Sequence, residues 1–419
     1  MIQVAELANG IKVLTENIPH VRSVAIGVWV DIGSRDESNE LAGISHFIEH
    51  LMFKGTEKRT AKDIAEALDA VGGQLNAFTT KEYTCYYARV LDEHFPLGID
   101  LLGDMLLNSS FNPADIERER NVILEEIKMY EDAPDELVHD VFAGTIWRGH
   151  PLGRPIIGDE KTVQGLSREQ ILSFYRKYYS SGNLVISVAG NFDQQKVINA
   201  LNETFGKLAG AKKEKGYFLP EPARQVVCRV KDTEQVHICL GTPGLALDHE
   251  KIYVFQIVNT ILGGGLSSRL FQEIREQRGL VYSIFSYHSS YHDSGLFCIY
   301  TGLSKQNVRA ALELIVREIR RIQSNGVTLA ELQRAKEQLK GNLLLSLENI
   351  STRMSRLGKS QMYLGKVVPP DEIVNRIMAV SDSDIKDLVR AVLKPENFCM
   401  ASVGPWDDGD MLNNIINNM

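Results

Sequence analysis

The stretch SREQILSFYRKYYSSGNLVISVAGNFD, residues 167–193, decides the predicted architecture because its pattern returns later in the chain. Residues 381–407 read SDSDIKDLVRAVLKPENFCMASVGPWD, and Asn183 recurs as Asn397 at a constant, gap-free spacing of 214 residues. Each copy predicts a capped amphipathic helix, a turn at the asparagine and an apolar strand closed by glycine. Chance similarity between two helix–strand units is the alternative explanation.

A repeat of half the chain length predicts two homologous domains rather than a solenoid. The 419 residues exceed what one ordinary core needs. We expect an N-terminal domain at 1–210, a linker at 211–224 rich in lysine, glycine and proline, and a C-terminal domain at 225–419. Apolar strands such as 23–33 and 83–91 alternate with long helices. The predicted fold class is therefore α+β, each domain being a mainly antiparallel sheet packed with helices.

Composition excludes several classes of protein. A net charge of −8, with basic residues mixed among acids, argues against a nucleic-acid partner. Five scattered cysteines without a C-x-x-C pair indicate neither a disulfide framework nor a cysteine-based zinc site, so we expect a reducing, cytoplasmic location. A secretory signal pattern and an apolar run of about 18 residues are both missing, and no membrane partner is expected.

The segment GISHFIEHLMFKGT, residues 43–56, carries the strongest chemical signal. Apolar residues at helical intervals predict a helix over 41–53. His46 and His50 stand one turn apart on one face, so they are spaced to share a zinc ion, and Glu49 lies beside them as a candidate base. H-x-x-E-H is a recorded zinc-peptidase signature. A surface helix with solvated side chains is the alternative, but the apolar flanks argue against it.

Catalytic zinc normally takes three protein ligands, so a third is needed. The acid-rich segment 112–140 is the expected source, with Pro113 suited to the first helical position. Glu119 and Glu126 lie two turns apart and share a helix face. A solvated acidic face is the alternative, and the pattern of this segment alone favours it.

The combination of H-F-I-E-H at 46–50 with RERNVILEEI at 118–127 resembles the inverted-zincin family of pitrilysin, insulin-degrading enzyme and the mitochondrial processing peptidase. The resemblance covers essentially the whole chain. It implies that Glu126 is the third ligand of one zinc ion per chain and that Glu119 supports the site. It also implies a second domain without metal: positions shifted by 214 residues from His46 and His50 hold Thr260 and Gly264.

The glycine-rich segment 262–283 also resembles processing peptidases. The family's arginine and tyrosine, seven residues apart, match Arg275 and Tyr282. The resemblance implies that both face the zinc from an opposite domain and orient the peptide and its tetrahedral intermediate. A helix end followed by a surface arginine is the alternative.

Three further matches concern substrate binding. The resemblance implies that the edge around Asn76, Ala77 and Phe78 pairs with extended peptide, which is β-augmentation. It assigns Glu136 and Asp140 to a pocket for an arginine near the cut, although exposed acids on a helix are common. Phe53 corresponds to an aromatic pocket residue after the scissile bond.

These features together predict a zinc-dependent endopeptidase that cleaves extended or presequence-like peptides, with Glu49 as general base and Tyr282 stabilising the oxyanion. The alternatives are a noncatalytic core-type subunit of the same fold and a dedicated peptide-trimming enzyme of a biosynthetic route. Large relatives close four such domains as a clamshell, so two domains form half of the chamber. A homodimer with composite active sites is expected, and a heterodimer with an inactive partner is the rival.

Overall fold

The structure is a computed structural model that describes residues 2–212 and 215–418. The chain divides into two compact units, and each takes segments from both halves of the sequence. The first unit comprises Met1–Ile127, Arg154–Tyr217 and Ser346–Val367, and the second comprises Lys128–Gly153, Phe218–Leu345 and Val368–Met419. The two units therefore differ from the contiguous halves that sequence suggests, because residues 128–153 belong to the second unit and residues 346–367 to the first.

The described residues form eleven strands in two sheets. They are β1 (Ile2–Glu6), β2 (Lys12–Asn17), β3 (Ser23–Val30), β4 (Gln74–Thr79), β5 (Thr84–Leu91), β6 (Leu184–Gly190), β7 (Val226–Val230), β8 (Val236–Pro243), β9 (Ser283–Ser290), β10 (Gly295–Leu303) and β11 (Cys399–Gly404). The first sheet has the order β1-β2-β6-β3-β5-β4 and the second β7-β11-β8-β10-β9. Only β2 with β6, and β7 with β11, pair in parallel. Five strands thus follow one order in both units.

Helices cover these sheets in both units. They are α1 (Ile44–Leu51), α2 (Ala61–Asp69), α3 (Phe95–Asn108), α4 (Pro113–Glu131), α5 (Pro134–Ile146), α6 (Glu160–Gly165), α7 (Arg168–Tyr178), α8 (Gln194–Phe205), α9 (Ile252–Gly263), α10 (Val308–Asn325), α11 (Leu329–Ser346), α12 (Ile350–Leu364), α13 (Pro370–Ala379), α14 (Asp382–Val392) and α15 (Gly409–Asn417). The predicted class, sheets packed with helices in two related domains, is confirmed. In the described residues no helix combines the length and apolarity needed to cross a membrane.

The repeated helix–strand unit folds the same way twice. Ser167 caps α7 and Ser381 caps α14, each accepting a hydrogen bond from the backbone three residues on. The following strands, β6 and β11, end at Gly190 and Gly404, whose φ angles of 136° and 151° disfavour residues with a side chain. The same local sequence requirements therefore account for both copies.

The two halves of the sequence exchange one helix each. Helix α5 packs on the sheet of the second unit and α12 on the sheet of the first, where Met354 and Phe142 are fully buried against the strands. A side chain at Gly27 of β3 would collide with Met354, and one at Gly241 of β8 would collide with Phe142. These two glycines are 214 residues apart. A glycine that leaves room for the packed helix therefore recurs at the same position of both copies.

Candidate metal centre

Helix α1 is fixed at its N-terminus by a buried carboxylate. Glu37 accepts hydrogen bonds of 2.8 Å from the backbone nitrogens of both Gly43 and Ser45. Gly43 has a φ of 93°, and a side chain there would lie 2.6 Å from the carbonyl oxygen of Ile157. The helix therefore begins at Ile44, later than the predicted residue 41, because the turn before it is set by a distant segment.

The apolar residues of α1 fix which side of the helix faces the core. Ile44, Phe47, Ile48 and Leu51 are at most 1% exposed within the first unit's core. Four buried side chains at helical spacing prevent the helix from rotating about its axis. The polar residues between them are consequently held in one orientation.

His46 and His50 lie together with Glu126 of α4. The Nε2 atoms of His46 and His50 are 3.8 Å and 3.6 Å from Oε2 of Glu126, and ligand atoms of all three residues lie within 4.8 Å of one another. Burial, with a smaller contribution from His50, lowers the pKa of His46 to about 3. This imidazole is therefore neutral at neutral pH, the form that binds metals.

The donor set fits a zinc ion. Two imidazole nitrogens and one carboxylate oxygen are a known ligand combination for catalytic zinc, which leaves the fourth position open. Tetrahedral zinc with bonds of roughly 2.0–2.2 Å separates its ligand atoms by about 3.4 Å. The separations to Glu126 exceed that value by only a few tenths of an ångström. Small side-chain adjustments would close the site around the ion.

Glu119 holds His50 from the side away from Glu126. Its Oε2 atom lies 3.1 Å from Nδ1 of His50, and its Oε1 atom pairs with Nζ of Lys54 at 2.7 Å. A carboxylate that accepts from Nδ1 directs Nε2 toward a metal and makes the imidazole a better ligand. His46 differs, because its buried Nδ1 has no hydrogen-bond partner among the described residues.

Glu49 lies next to the ligand cluster and is held by Thr79 at the end of β4. The Thr79 hydroxyl donates a hydrogen bond to Oε2 of Glu49. Burial raises the pKa of the Glu49 carboxyl above its usual value; the Thr79 hydrogen bond opposes this rise, and the Glu126 carboxylate adds to it. A carboxylate whose pKa is shifted toward neutrality suits proton transfer at neutral pH.

Strand β4 is the edge of the first sheet beyond β5. Asn76, Ala77 and Phe78 lie on it, opposite Tyr87, Tyr86 and Cys85 of β5. The backbone nitrogen of Ala77 donates to the side-chain oxygen of its neighbour Asn76 at 2.8 Å. That bond satisfies one edge group locally, so a peptide that used this nitrogen would have to displace the Asn76 side chain.

The other predicted substrate residues lie in both units. Phe53 follows α1 and packs on the core of the first unit. Arg275 lies in a short π-helical turn of the second unit, with its guanidinium 4.8 Å from the ring centre of Phe271 and 6.0 Å from that of Tyr282. The Tyr282 side chain is 73% exposed.

A solvent-open groove of the second unit brings Tyr282 and Glu136 together. It is also lined by Asp135, Glu234 and a set of aromatic and histidine side chains. Glu136 and Asp140 both belong to α5, one turn apart, although the predicted single segment 112–140 breaks between α4 and α5 before Pro134. The groove thus combines acidic and aromatic groups.

Sequence reasoning missed Thr79 and Lys54. Thr79 is separated by thirty residues from Glu49, and Lys54 by sixty-five from Glu119, so no local spacing connects either pair. Thr79 directly follows the predicted sheet edge around Asn76, Ala77 and Phe78. The position of that edge next to α1 was the one feature that could have indicated its contact with Glu49. Lys54 lies one turn after His50, and nothing in the sequence around it indicates an ion pair with Glu119.

Two related sheets, with an H-x-x-E-H helix and a distant glutamate on only one of them, define a two-domain metallopeptidase-type fold. The chain belongs to the insulinase family of peptidases, family M16. The family's insulinase profile matches residues 12–160, and the profile described as the peptidase M16 inactive domain matches residues 165–339.

Relatives and solved structures agree with this family. The chain is 45% identical to the protein named uncharacterized zinc protease YmxG of Bacillus subtilis over 405 residues, covering 97% of this chain and 98% of that protein. It is 44% identical to the protein named uncharacterized zinc protease SCO5738 of Streptomyces coelicolor, covering 96% of this chain and 89% of that protein. A structure described as a protease from Helicobacter pylori superposes with a TM-score of 0.91 at 21% identity, covering 97% and 99%. The last comparison concerns the fold alone.

Proposed function

We propose that the protein is a zinc-dependent endopeptidase that hydrolyses extended peptides. The observation that carries the proposal is the convergence of His46, His50 and Glu126 within 4.8 Å, with Glu49 beside them. The names of the curated relatives, zinc proteases that match nearly the whole chain, support it. One zinc ion per chain is expected at this cluster.

A zinc ion held there would supply a Lewis acid that polarises a peptide carbonyl and makes a water molecule more acidic. Glu49 would take the proton of that water through the carboxylate oxygen not bound to Thr79, and then pass the proton to the leaving amine. Thr79 keeps the Glu49 carboxylate in one position during both transfers. Glu119 keeps His50 in the orientation that binds the metal.

The substrate would bind as an added strand. Strand β4 ends at Thr79, next to Glu49, so a peptide paired along Asn76, Ala77 and Phe78 would run toward the reacting groups. Backbone pairing demands little of the peptide sequence. A preference for a basic residue near the cut would come from Glu136 and Asp140 of the second unit.

We place the complete site in a homodimer. By the family resemblance, Arg275 and Tyr282 face the zinc from an opposite domain. A second copy of this chain would supply that domain. The high exposure of Tyr282 leaves its hydroxyl accessible to a partner or a peptide. All five cysteines are free, which supports the expected reducing, cytoplasmic location.

The function is tested by replacing Glu49 with glutamine. Loss of the base should lower kcat by about 10²- to 10⁴-fold while zinc content is unchanged. Glu66→Gln is the matched control, since Glu66 is an exposed acid of α2 that pairs with Lys62 at 3.4 Å. Cleavage of a quenched Arg-containing peptide and metal analysis supply the two readouts. Activity of Glu49→Gln within about tenfold of wild type would contradict the role of general base.

Shared sites are tested by mixing two inactive variants, Glu49→Gln and Tyr282→Phe, after dissociation and reassociation. Each mixed dimer would contain one wild-type composite site, so activity should return to about a quarter of wild type after random reassortment. Native mass spectrometry would verify subunit exchange. A mixture that exchanges subunits yet stays as inactive as its parents would show that each site is built within one chain.

A further inference from the structure

Two cysteines and a histidine meet on the face of the second unit's sheet that α5 covers. Cys239 lies on β8, Cys298 on β10 and His139 on α5, and one ligand atom of each lies within 4.8 Å of the other two. The Cys239 Sγ atom is 3.5 Å from Nδ1 of His139. Both cysteines are 0% exposed. None of these residues takes part in the candidate zinc centre of the first unit.

Strand register explains why the three side chains converge. Cys298 lies opposite Gly241, which is two residues beyond Cys239 on the neighbouring strand. Side chains two residues apart point to the same face, so both thiols project toward α5. Gly241 has no side chain, and Phe142 of α5 occupies the space it leaves. His139, about one helical turn before Phe142, is thereby brought over the thiols.

We propose that His139, Cys239 and Cys298 form a second metal site that binds zinc. Two thiolates and one imidazole are an established zinc ligand set, and zinc bonds of roughly 2.3 Å to sulfur and 2.0–2.1 Å to nitrogen separate those atoms by about 3.6 Å. The distance between Cys239 and His139 agrees with that value. The hydroxyl of Tyr287 forms a hydrogen bond of 2.7 Å with the same His139 nitrogen, and zinc binding would replace that hydrogen bond.

The charges of such a site balance. Binding of Zn²⁺ deprotonates both thiols and releases two protons to solvent, so two thiolates and one divalent cation sum to zero. A neutral cluster is compatible with surroundings that include the buried side chains of Val138, Phe142 and Leu296. The ion would join α5 to β8 and β10, which lie far from it in sequence. It would thus have a structural role for the helix that the first half of the sequence contributes to the second unit.

An ion can reach the site through the open groove. His139 lines it together with Tyr300, and Asp135, Glu136 and Glu234 place negative charge around it. Acidic groups at a groove raise the local concentration of cations. The buried thiols lie behind His139, so the histidine would bind first and the thiols would complete the coordination.

The first unit provides an internal comparison. At the repeat spacing Cys239 corresponds to Ala25, and the residue paired with Gly27 in the place of Cys298 is Tyr87. There α12 packs through Met354 and Ile350 in an ordinary apolar contact. A helix can thus be held on this face without thiols or imidazole, and their presence in the second unit alone calls for another explanation.

The test uses the full chain, with the candidate zinc centre of the first unit removed by substitution. In the double variant His46→Ala/His50→Ala, cobalt(II) added under a reducing agent should bind with one equivalent per chain and produce thiolate-to-cobalt charge-transfer absorption. Zinc should displace it. Because the signal appears in a protein with all cysteines intact, it does not depend on whether a cysteine variant folds. The readout is independent of peptidase activity, so it also separates this proposal from the proposed function.

Variants of the cluster assign the signal. Cys298→Ala or His139→Ala in the same background should abolish the absorption and the bound equivalent. Cys399→Ala is the matched control, since Cys399 is equally buried on the same sheet and lies outside the triad, and the signal should persist unchanged. Absence of thiolate absorption in the double variant would overturn the proposal. An undiminished signal in folded Cys298→Ala protein would also overturn it.

Discussion

The two units place a corresponding helix, α1 or α9, in front of corresponding strands, but only α1 carries two histidines one turn apart. At the positions of His46 and His50, α9 has Thr260 and, just past its end, Gly264. The Thr260 hydroxyl donates to its own helix at the carbonyl of Gln256, 2.8 Å away. A side chain at Gly264 would lie 2.6 Å from Cα of Thr260, so no ligand fits there.

The difference separates the requirements of the fold from those of the site. Strand order, serine caps and the glycines facing the exchanged helices recur in both units, whereas the ligands and Glu49 occur once. The match of the second half to a profile described as inactive is consistent with this division. The fold therefore forms in the second unit without the residues of the candidate zinc centre.

The largest effect should come from removing a candidate zinc ligand of the first unit. Removing its counterpart in the second unit should have no effect. His50→Ala should lower bound zinc by one equivalent per chain and leave no measurable cleavage, because two remaining ligands hold zinc poorly. Thr260→Ala, with only a hydrogen bond within its helix to lose, should change neither quantity. Metal analysis and peptide cleavage provide the measurements. Loss of zinc from Thr260→Ala, or full zinc in His50→Ala, would break the comparison.

Glu119→Gln should produce the next largest effect. Removing the carboxylate that orients His50 should weaken zinc binding by about 10- to 100-fold without abolishing it. Glu117→Gln on the same helix is the control, since its partner is Arg120 at 3.1 Å and its side chain is 67% exposed. Competition with a zinc-binding dye measures the affinity. Equal affinities in both variants would remove Glu119 from the site.

Local rules of the sequence predicted a large part of this structure. The paired helix–strand units and the histidine pair of α1 follow from period, caps and spacing. The edge around Asn76 and the role of Glu126 were implied by the family resemblance, since the pattern of 112–140 alone favoured a solvated acidic face. These features depend on residues within a few turns or on a recurring motif.

The features that were not predicted depend on distant contacts. The start of α1 is set by Glu37 and by the passage of Ile157 close to Gly43, and the exchange of α5 and α12 depends on Gly27 and Gly241, which carry no side chain to reveal their role. The cysteine–histidine cluster combines residues from three separate elements, so no C-x-x-C spacing indicates it. Spacing rules detect only ligands that share an element.

The smallest effect should come from neutralising Glu136 or Asp140 on α5 of the second unit. Glu136→Gln and Asp140→Asn should each lower kcat/KM for peptides with arginine near the cut by about twofold to fivefold relative to neutral peptides, as expected for exposed ion pairs. Glu160→Gln, an exposed acid of the first unit, is the control. Equal losses for arginine-containing and neutral peptides would remove the arginine pocket from the account.

The most direct test of the central claim is to locate the metal. Zinc-loaded crystals, measured on both sides of the zinc absorption edge, give an anomalous difference map that identifies the ion by element and position. The account predicts a peak in the first unit, roughly 2.0–2.2 Å from Nε2 of His46, Nε2 of His50 and a carboxylate oxygen of Glu126. It predicts none beside Thr260 and Gly264. A zinc-loaded crystal with no peak among His46, His50 and Glu126 would contradict the account.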